Sequence, residues 1–236
     1  MNWYLVVLIW VGIIVIPYLL GSINTGIIVS RLGFKDDVRA HGSGNAGMTN
    51  VLRTYGKLPA LITLLGDFGK SVLAVYVARW LFAILADMGF TFFGLPDFDG
   101  AYIGGLCALL GHIYPVFFKF KGGKGVMTCC GILAVVQPVA LAIGIAVFAV
   151  TVLLTRYVSL GSILGSISFP IAVALINVAH GRPVRWEMLF SAVYALIIIL
   201  KHSANIGRLI HGNENKISLR KPGSAGAQKP KDGSSR

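Results

Sequence analysis

Apolar residues run along most of this chain in long stretches, separated by short segments that collect nearly all the glycine and charge. The predicted elements are therefore helices of membrane-crossing length. Residues 1–30 carry no Asp, Glu, Lys or Arg. That stretch is too long for the apolar core of a cleaved signal and has no small-residue cleavage site, so it predicts a first spanning helix. Further apolar runs cover 58–80, 100–118, 126–155, 157–179 and 187–206. The run at 126–155 exceeds the roughly twenty residues that one span needs, and Gln137-Pro138 interrupts it, so it divides into helices over 126–136 and 138–155.

Composition agrees with this pattern: 56% of the 236 residues are hydrophobic and 13% charged, with a mean hydropathy of +0.77. This excludes an ordinary soluble domain. The bases concentrate after the first helix (Arg31, Lys35, Arg39, Arg53, Lys57), at Lys119, Lys121 and Lys124, and from Lys201 onward. The positive-inside rule places all three groups in the cytoplasm. An even number of crossings must then separate the second group from the third, which the split at Gln137-Pro138 supplies. The expectation is an all-α polytopic membrane protein with about seven transmembrane helices, some short, the amino terminus outside and the carboxyl terminus cytoplasmic. Connections 80–99 and 180–186 lie outside. Residues 1–218 form a single membrane domain, and 219–236, rich in Lys, Gly, Ser and Pro, read as a basic disordered tail.

Three polar clusters stand where apolar runs stop: H-G-S-G-N-A-G-M-T-N-V-L-R at 41–53, G-H-I-Y-P-V-F-F-K-F-K-G-G-K-G at 111–125 and K-H-S-A-N-I-G-R-L-I-H-G-N-E at 201–214. Glycine beside Ser, Asn, Lys, Arg and His is the chemistry of phosphate binding. Lys119, Lys121 and Lys124 flank Gly122-Gly123, whose amides are expected to form an anion nest. A helix beginning near Ala46 puts Thr49, Asn50 and Arg53 on one face. His202, Asn205 and Arg208 recur at a spacing of three and point one way. Asp67 and Lys70, three apart in an apolar helix, are expected to pair with each other.

Other chemistries find little support. Cys107, Cys129 and Cys130 lack paired spacing and nearby His ligands, and the acidic residues do not cluster as Mg²⁺ ligands do. The D-F-D-G at 97–100 reads as a surface loop. None of the five histidines begins an H-x-x-x-x-D dyad, and G-G-K-G at 122–125 does not complete a nucleotide-binding loop. No metal or cofactor is expected. The three clusters on one face suit an enzyme acting on an anionic substrate; a membrane carrier of phosphate or organic phosphate is the alternative.

At these residues the chain resembles the bacterial acyl-phosphate:glycerol-3-phosphate acyltransferases, the PlsY family. The matching motifs are G-S-G-N-A-G-M-T-N-x-x-R (42–53), G-H-x-x-P-x-F-x-x-F-K-G-G-K (111–124) and K-H-x-x-N-I-x-R-L-x-x-G-x-E (201–214). Softer matches are L-L-G-S-I near 19–23, D-F-G-K at 67–70 and R-Y-V-S-L-G-S at 156–162. Asn24 departs from the pattern, where a proline is expected in the first helix. The resemblance implies a multi-pass enzyme of the inner membrane whose active site faces the cytoplasm. Its substrates would be glycerol 3-phosphate and acyl phosphate, its surroundings membrane lipids, and it would bind no nucleic acid. It further implies that Lys121, Lys124 and Arg53 hold phosphate beside the Gly122-Gly123 amides, and that Ser43 and Asn45 address the acyl carbonyl. His202 and Asn205 would orient the glycerol hydroxyl. Gly44, Thr49, Asn50, His112, Ser159, Arg208 and Glu214 complete the expected substrate contacts. Either a substrate phosphate oxygen or His202 would take the hydroxyl proton.

Overall fold

The computed structural model describes residues 2–92, 98–181 and 186–217. Among these the fold is all-helical, with ten α-helices: α1 (Trp3–Ser22), α2 (Thr25–Phe34), α3 (Met48–Tyr55), α4 (Lys57–Asp87), α5 (Ala101–Ile113), α6 (Val126–Val136), α7 (Pro138–Thr155), α8 (Val158–Ala179), α9 (Trp186–Lys201) and α10 (Ser203–Ile210). By length and apolarity five segments can cross a membrane, and the bent pair α9–α10 makes a sixth. The tail from 218 and positions 182–185 lie outside the described residues, as does Asp97 of the D-F-D-G motif.

The long run at 126–155 divides where expected. Gln137 leaves helical geometry, and Pro138 takes the first position of α7, where a missing N–H costs nothing. At eleven residues α6 rises only about 16 Å. It nevertheless runs the length of α5: Lys124 precedes it at the polar end, while the Gln137 amide donates to the Tyr102 hydroxyl (2.9 Å) near the start of α5.

The first apolar run is not one helix. Ile23 turns to extended geometry, and the Asn24 side chain accepts from the Ile27 amide, starting α2 afresh. Asparagine in place of the expected proline is thus an N-cap that breaks the run. A second difference is that α4 continues to Asp87, well into the expected connection at 80–99. Phe82 and Leu85 explain this, since both are buried in an apolar cluster with Val6, Ile9 and Ile13 of α1. The expected final helix over 187–206 is also broken, bending by 60° at His202 between α9 and α10.

Close helix contact relies on small residues, as it must where lipid removes the hydrophobic drive for helices to associate. A Cβ on Gly21 would collide with the Ala108 carbonyl, and one on Gly111 with that of Tyr18, so these two glycines set the separation of α1 and α5. The main apolar core lies between α4, α5, α6 and α9, around Val75, Leu109, Ile132, Leu133, Tyr194 and Ile198. At one end of this packed bundle the polar segments collect.

Candidate active site

The first polar segment is shaped by Asn50, which is 2% exposed. Its amide nitrogen donates to the carbonyls of Val38 (2.9 Å), His41 (3.0 Å) and Asn45 (2.9 Å), and its Oδ1 accepts from the Ser43 amide (3.0 Å). With two N–H groups shared among three carbonyls, the donors of Asn50 are spent on folding the loop. Asn50 is thus the scaffold of 38–45, while it also lines the cavity described below. That scaffold presents Ser43, and Asn45 Oδ1 is taken by the Gly47 amide (3.0 Å), which leaves the Asn45 amino group outward. Thr49 and Arg53 share a face of α3, and the Arg53 guanidinium has one long contact, to the Asn215 carbonyl (3.4 Å).

Two expectations for the second cluster fail on geometry. The Gly122 amide donates to Ile113 O (3.1 Å) and the Gly123 amide to His112 O (3.2 Å), so neither faces outward as an anion nest. The glycines serve contact instead: a Cβ on Gly122 would strike the His112 carbonyl, and one on Gly123 the His112 imidazole. Lys121 also departs from its expected place. Arg39 Nη1 grips its carbonyl (2.8 Å) together with that of Phe118 (3.0 Å), and neither the exposed Lys121 nor Gly44 is among the residues that line the pocket described below. Lys124 alone of the second-cluster lysines turns inward.

Lys124 Nζ donates to Asn205 Oδ1, Asn205 Nδ2 donates to Glu214 Oε1 (2.8 Å), and the same oxygen accepts from Ser159 Oγ (2.9 Å). Arg208 Nε donates to Glu214 Oε2 (2.7 Å). One carboxylate thus gathers side chains from α8, α10 and, through Asn205, the Lys124 loop. Burial alone would raise Glu214, but the hydrogen bonds from Asn205, Arg208 and Ser159 hold it below the usual carboxylate range. Burial lowers Lys124 to about 8; Glu214 opposes this while Arg208 and Arg53 add to it. Arg208 pairs with Glu214, whereas among the described residues neither Arg53 nor Lys124 forms an ion pair with a carboxylate. That surplus of positive charge suits a phosphate.

His202 is 3% exposed and caps α10 at the bend. Its Nδ1–H donates to the Ile198 carbonyl (2.8 Å), because a carbonyl can only accept, so in the neutral ring Nε2 keeps its lone pair. Beneath these groups lie Asp67 (1% exposed), Lys70 (8%) and His112 (3%). The expected pair forms, with Lys70 Nζ 2.8 Å from Asp67 Oδ1. Sequence reading did not connect it to His112, forty-two residues on, and no local spacing carries that signal.

Ser43, Asn45, Thr49, Asn50, Arg53, His112, Lys124, Ser159, His202, Asn205, Arg208 and Glu214 line one cavity of about 330 Å³. Against it lies a second of about 440 Å³, lined by Leu64, Phe68, Cys130, Leu141, Ile145 and Phe169 among others. Met48, Val126, Met127, Phe148 and Ser162 belong to both walls. A polar chamber and an apolar one therefore share a boundary, as an amphiphile with an anionic head requires.

Comparison with known proteins decides the family. A family model described as glycerol-3-phosphate acyltransferase matches residues 11–212. The chain belongs to the glycerol-3-phosphate acyltransferase family. It is 41% identical over 203 residues to the glycerol-3-phosphate acyltransferase of Finegoldia magna, covering 86% of this chain and 93% of the relative. To the same enzyme of Geobacter sulfurreducens it is 42% identical over 202 residues, 86% and 94% of the two chains. The fold is similar to a crystal structure of PlsY (YgiH), an integral membrane glycerol 3-phosphate acyltransferase, in its glycerol 3-phosphate form. The TM-score is 0.74 at 36% identity, with 88% of this chain and 95% of that one covered. The lysophosphatidic acid form of the same protein gives 0.72 at 35% identity, with the same coverage. The chain is accordingly an integral membrane acyltransferase, and membership replaces the carrier reading.

Proposed function

We propose that the chain transfers a fatty acyl group from acyl phosphate to the 1-hydroxyl of glycerol 3-phosphate, giving 1-acylglycerol 3-phosphate and inorganic phosphate, the opening step of phospholipid synthesis. The observation that carries this reading is the shared wall of the two chambers, which sets an anion-binding site against an apolar cavity with room for an acyl chain. The relative whose structures are described as its glycerol 3-phosphate and lysophosphatidic acid forms supports the acceptor and product.

The acyl-phosphate donor rests on the resemblance of the three motifs to the PlsY family, and its chemistry sets the protein's tasks. An acyl phosphate is a mixed anhydride whose leaving group needs little acid help, so the protein's tasks are charge neutralisation and positioning. Arg53 and Lys124 neutralise phosphate, Ser43 and the Asn45 amino group address the carbonyl, and His202 Nε2 accepts the hydrogen bond of the attacking hydroxyl. The hydroxyl oxygen bonds to the acyl carbon, the bond from that carbon to the phosphate oxygen breaks, and a phosphate oxygen takes the proton. We further place seven crossings in the bacterial inner membrane, α6 included, with the amino terminus outside and the polar chamber open to the cytoplasm.

The test uses purified protein, radiolabelled glycerol 3-phosphate and three donors in turn: synthetic acyl phosphate, acyl-CoA and acyl-carrier protein. Labelled lysophosphatidate is expected with acyl phosphate alone. Comparable turnover with acyl-CoA would overturn the donor assignment.

A further inference from the structure

The polar chamber is lined in part by Asp67 and His112, which with Lys70 form a cluster of three buried ionisable side chains. Such groups are costly inside a membrane and mark function when retained. Lys70 Nζ has three acceptors: the Ile23 carbonyl (2.7 Å) freed by the break between α1 and α2, Asp67 Oδ1 (2.8 Å) and His112 Nδ1 (3.0 Å). Asp67 also receives the Thr25 amide (3.4 Å) from the far side of the same break.

Paired with Asp67 as an ammonium, Lys70 carries three protons, which match these three acceptors. An ammonium has no lone pair, so His112 Nδ1 must be the unprotonated nitrogen and Nε2 must carry the hydrogen. No protein acceptor for that N–H is present among the described residues. The ring edge carrying it lies under Gly123, where a Cβ would collide with Nε2, and one residue further on is Lys124. His112 thus has the opposite polarity to His202, whose Nδ1–H is spent on Ile198 and whose Nε2 accepts.

We infer that the buried Asp67–Lys70–His112 chain locks His112 into its Nε2–H tautomer as a neutral hydrogen-bond donor to an anionic oxygen of the reacting substrates. His112 is then a further catalytic residue, and Lys70 and Asp67 are positioning residues that act through it. A neutral donor suits this site, since it stabilises developing negative charge without adding a third uncompensated cation beside Arg53 and Lys124. The same chain explains the break at Ile23-Asn24, which supplies Lys70 with its third acceptor.

The inference rests on the acyl-transfer reading, and wild-type turnover with acyl phosphate tests that reading by itself. For the inference, His112→Leu and His112→Gln are compared with wild type, since the glutamine amide restores an N–H near the Nε2 position. Leucine is expected to lower kcat by about 100- to 1,000-fold if the oxygen is the carbonyl oxyanion. If the oxygen belongs to phosphate, the loss is expected in the glycerol 3-phosphate KM. In either case glutamine recovers a substantial part. Equal loss in both variants, with each monodisperse in detergent, overturns the inference, and so do unchanged constants in His112→Leu. A second readout does not depend on turnover: ¹⁵N-histidine spectra of the wild-type protein are expected to show one tautomer with the proton on Nε2. The double variant Asp67→Asn/Lys70→Met, which leaves no buried charge unpaired, is expected to lose that preference and show reduced kcat. A wild-type spectrum with the proton on Nδ1, or a double variant with unchanged tautomer and kcat, overturns it.

Discussion

Burial pulls the Lys124 ammonium down to about 8 while Glu214 works against it and Arg208 and Arg53 add to the fall. The group is charged below that value and loses its charge as pH rises through it, so phosphate recognition by the free enzyme should weaken in the same range. We predict that kcat/KM for glycerol 3-phosphate declines above about pH 8. Lys124→Arg, weaker throughout, should lack this alkaline limb, because a guanidinium stays charged. The shared substrate cancels its own titration in the comparison, so parallel profiles would refute the assignment. Lys124→Ala should cost about 1.5–3 kcal/mol of substrate recognition, read as a rise in KM or loss of turnover. His202 offers the matching test of proton transfer. If its Nε2 only accepts a hydrogen bond, His202→Gln, whose amide oxygen also accepts, should retain more activity than His202→Ala. Equal near-total loss in both folded variants would make the histidine the base.

At the level of elements, what was legible in the sequence depended on whether the signal was local. Gln137-Pro138 punctuates its own neighbourhood, and the helix boundaries at Val136 and Pro138 follow from it. His202, Asn205 and Arg208 carry their shared face in their spacing, and all three line the polar chamber. The Gly122-Gly123 pair misled, because glycine marks both an outward nest and a place where backbone meets another side chain. Only the position of His112 in space separates the two. The scaffold duty of Asn50 was hidden for a related reason, since an amide suited to a ligand is equally suited to three carbonyls of its own loop. The loop 38–45 depends on that amide, so Asn50→Ala should leave several backbone groups unpaired, at about 1–3 kcal/mol for each that water does not reach. Asn50→Asp should be worse, as a carboxylate cannot donate. Thermal unfolding in detergent is expected to fall in the order wild type, Asn50→Ala, Asn50→Asp, whereas an aspartate variant as stable as wild type would contradict this role.

Across the whole molecule, the placement of charge and the meeting of four segments in one chamber constrain the topology together. Ser43, Lys124, Ser159 and Asn205 line the same cavity, so the segments that carry them reach one end of the bundle. Between Lys124 and Ser159 lie only α6 and α7, and α7 is long and apolar enough to cross. The short α6 must therefore carry the chain to the far end, which the bond from Gln137 to Tyr102 marks. At that end the described charges include the ion pair of Arg79 with Asp99 and the exposed Asp87, against a dense set of lysines and arginines around the chamber. We predict that single cysteines at Ser43, Lys121 and Asn213, in a background with Cys107, Cys129 and Cys130 replaced by alanine, react with an impermeant maleimide only after the cytoplasmic face is opened. A cysteine at Asp87 should react in intact cells. Lys121 is chosen over Gly123 because its side chain is exposed and a side chain at Gly123 would displace His112. Labelling of Lys121→Cys from outside, with Ser43→Cys still protected, would separate the first two polar segments across the membrane and refute both the seven-crossing arrangement and the common chamber.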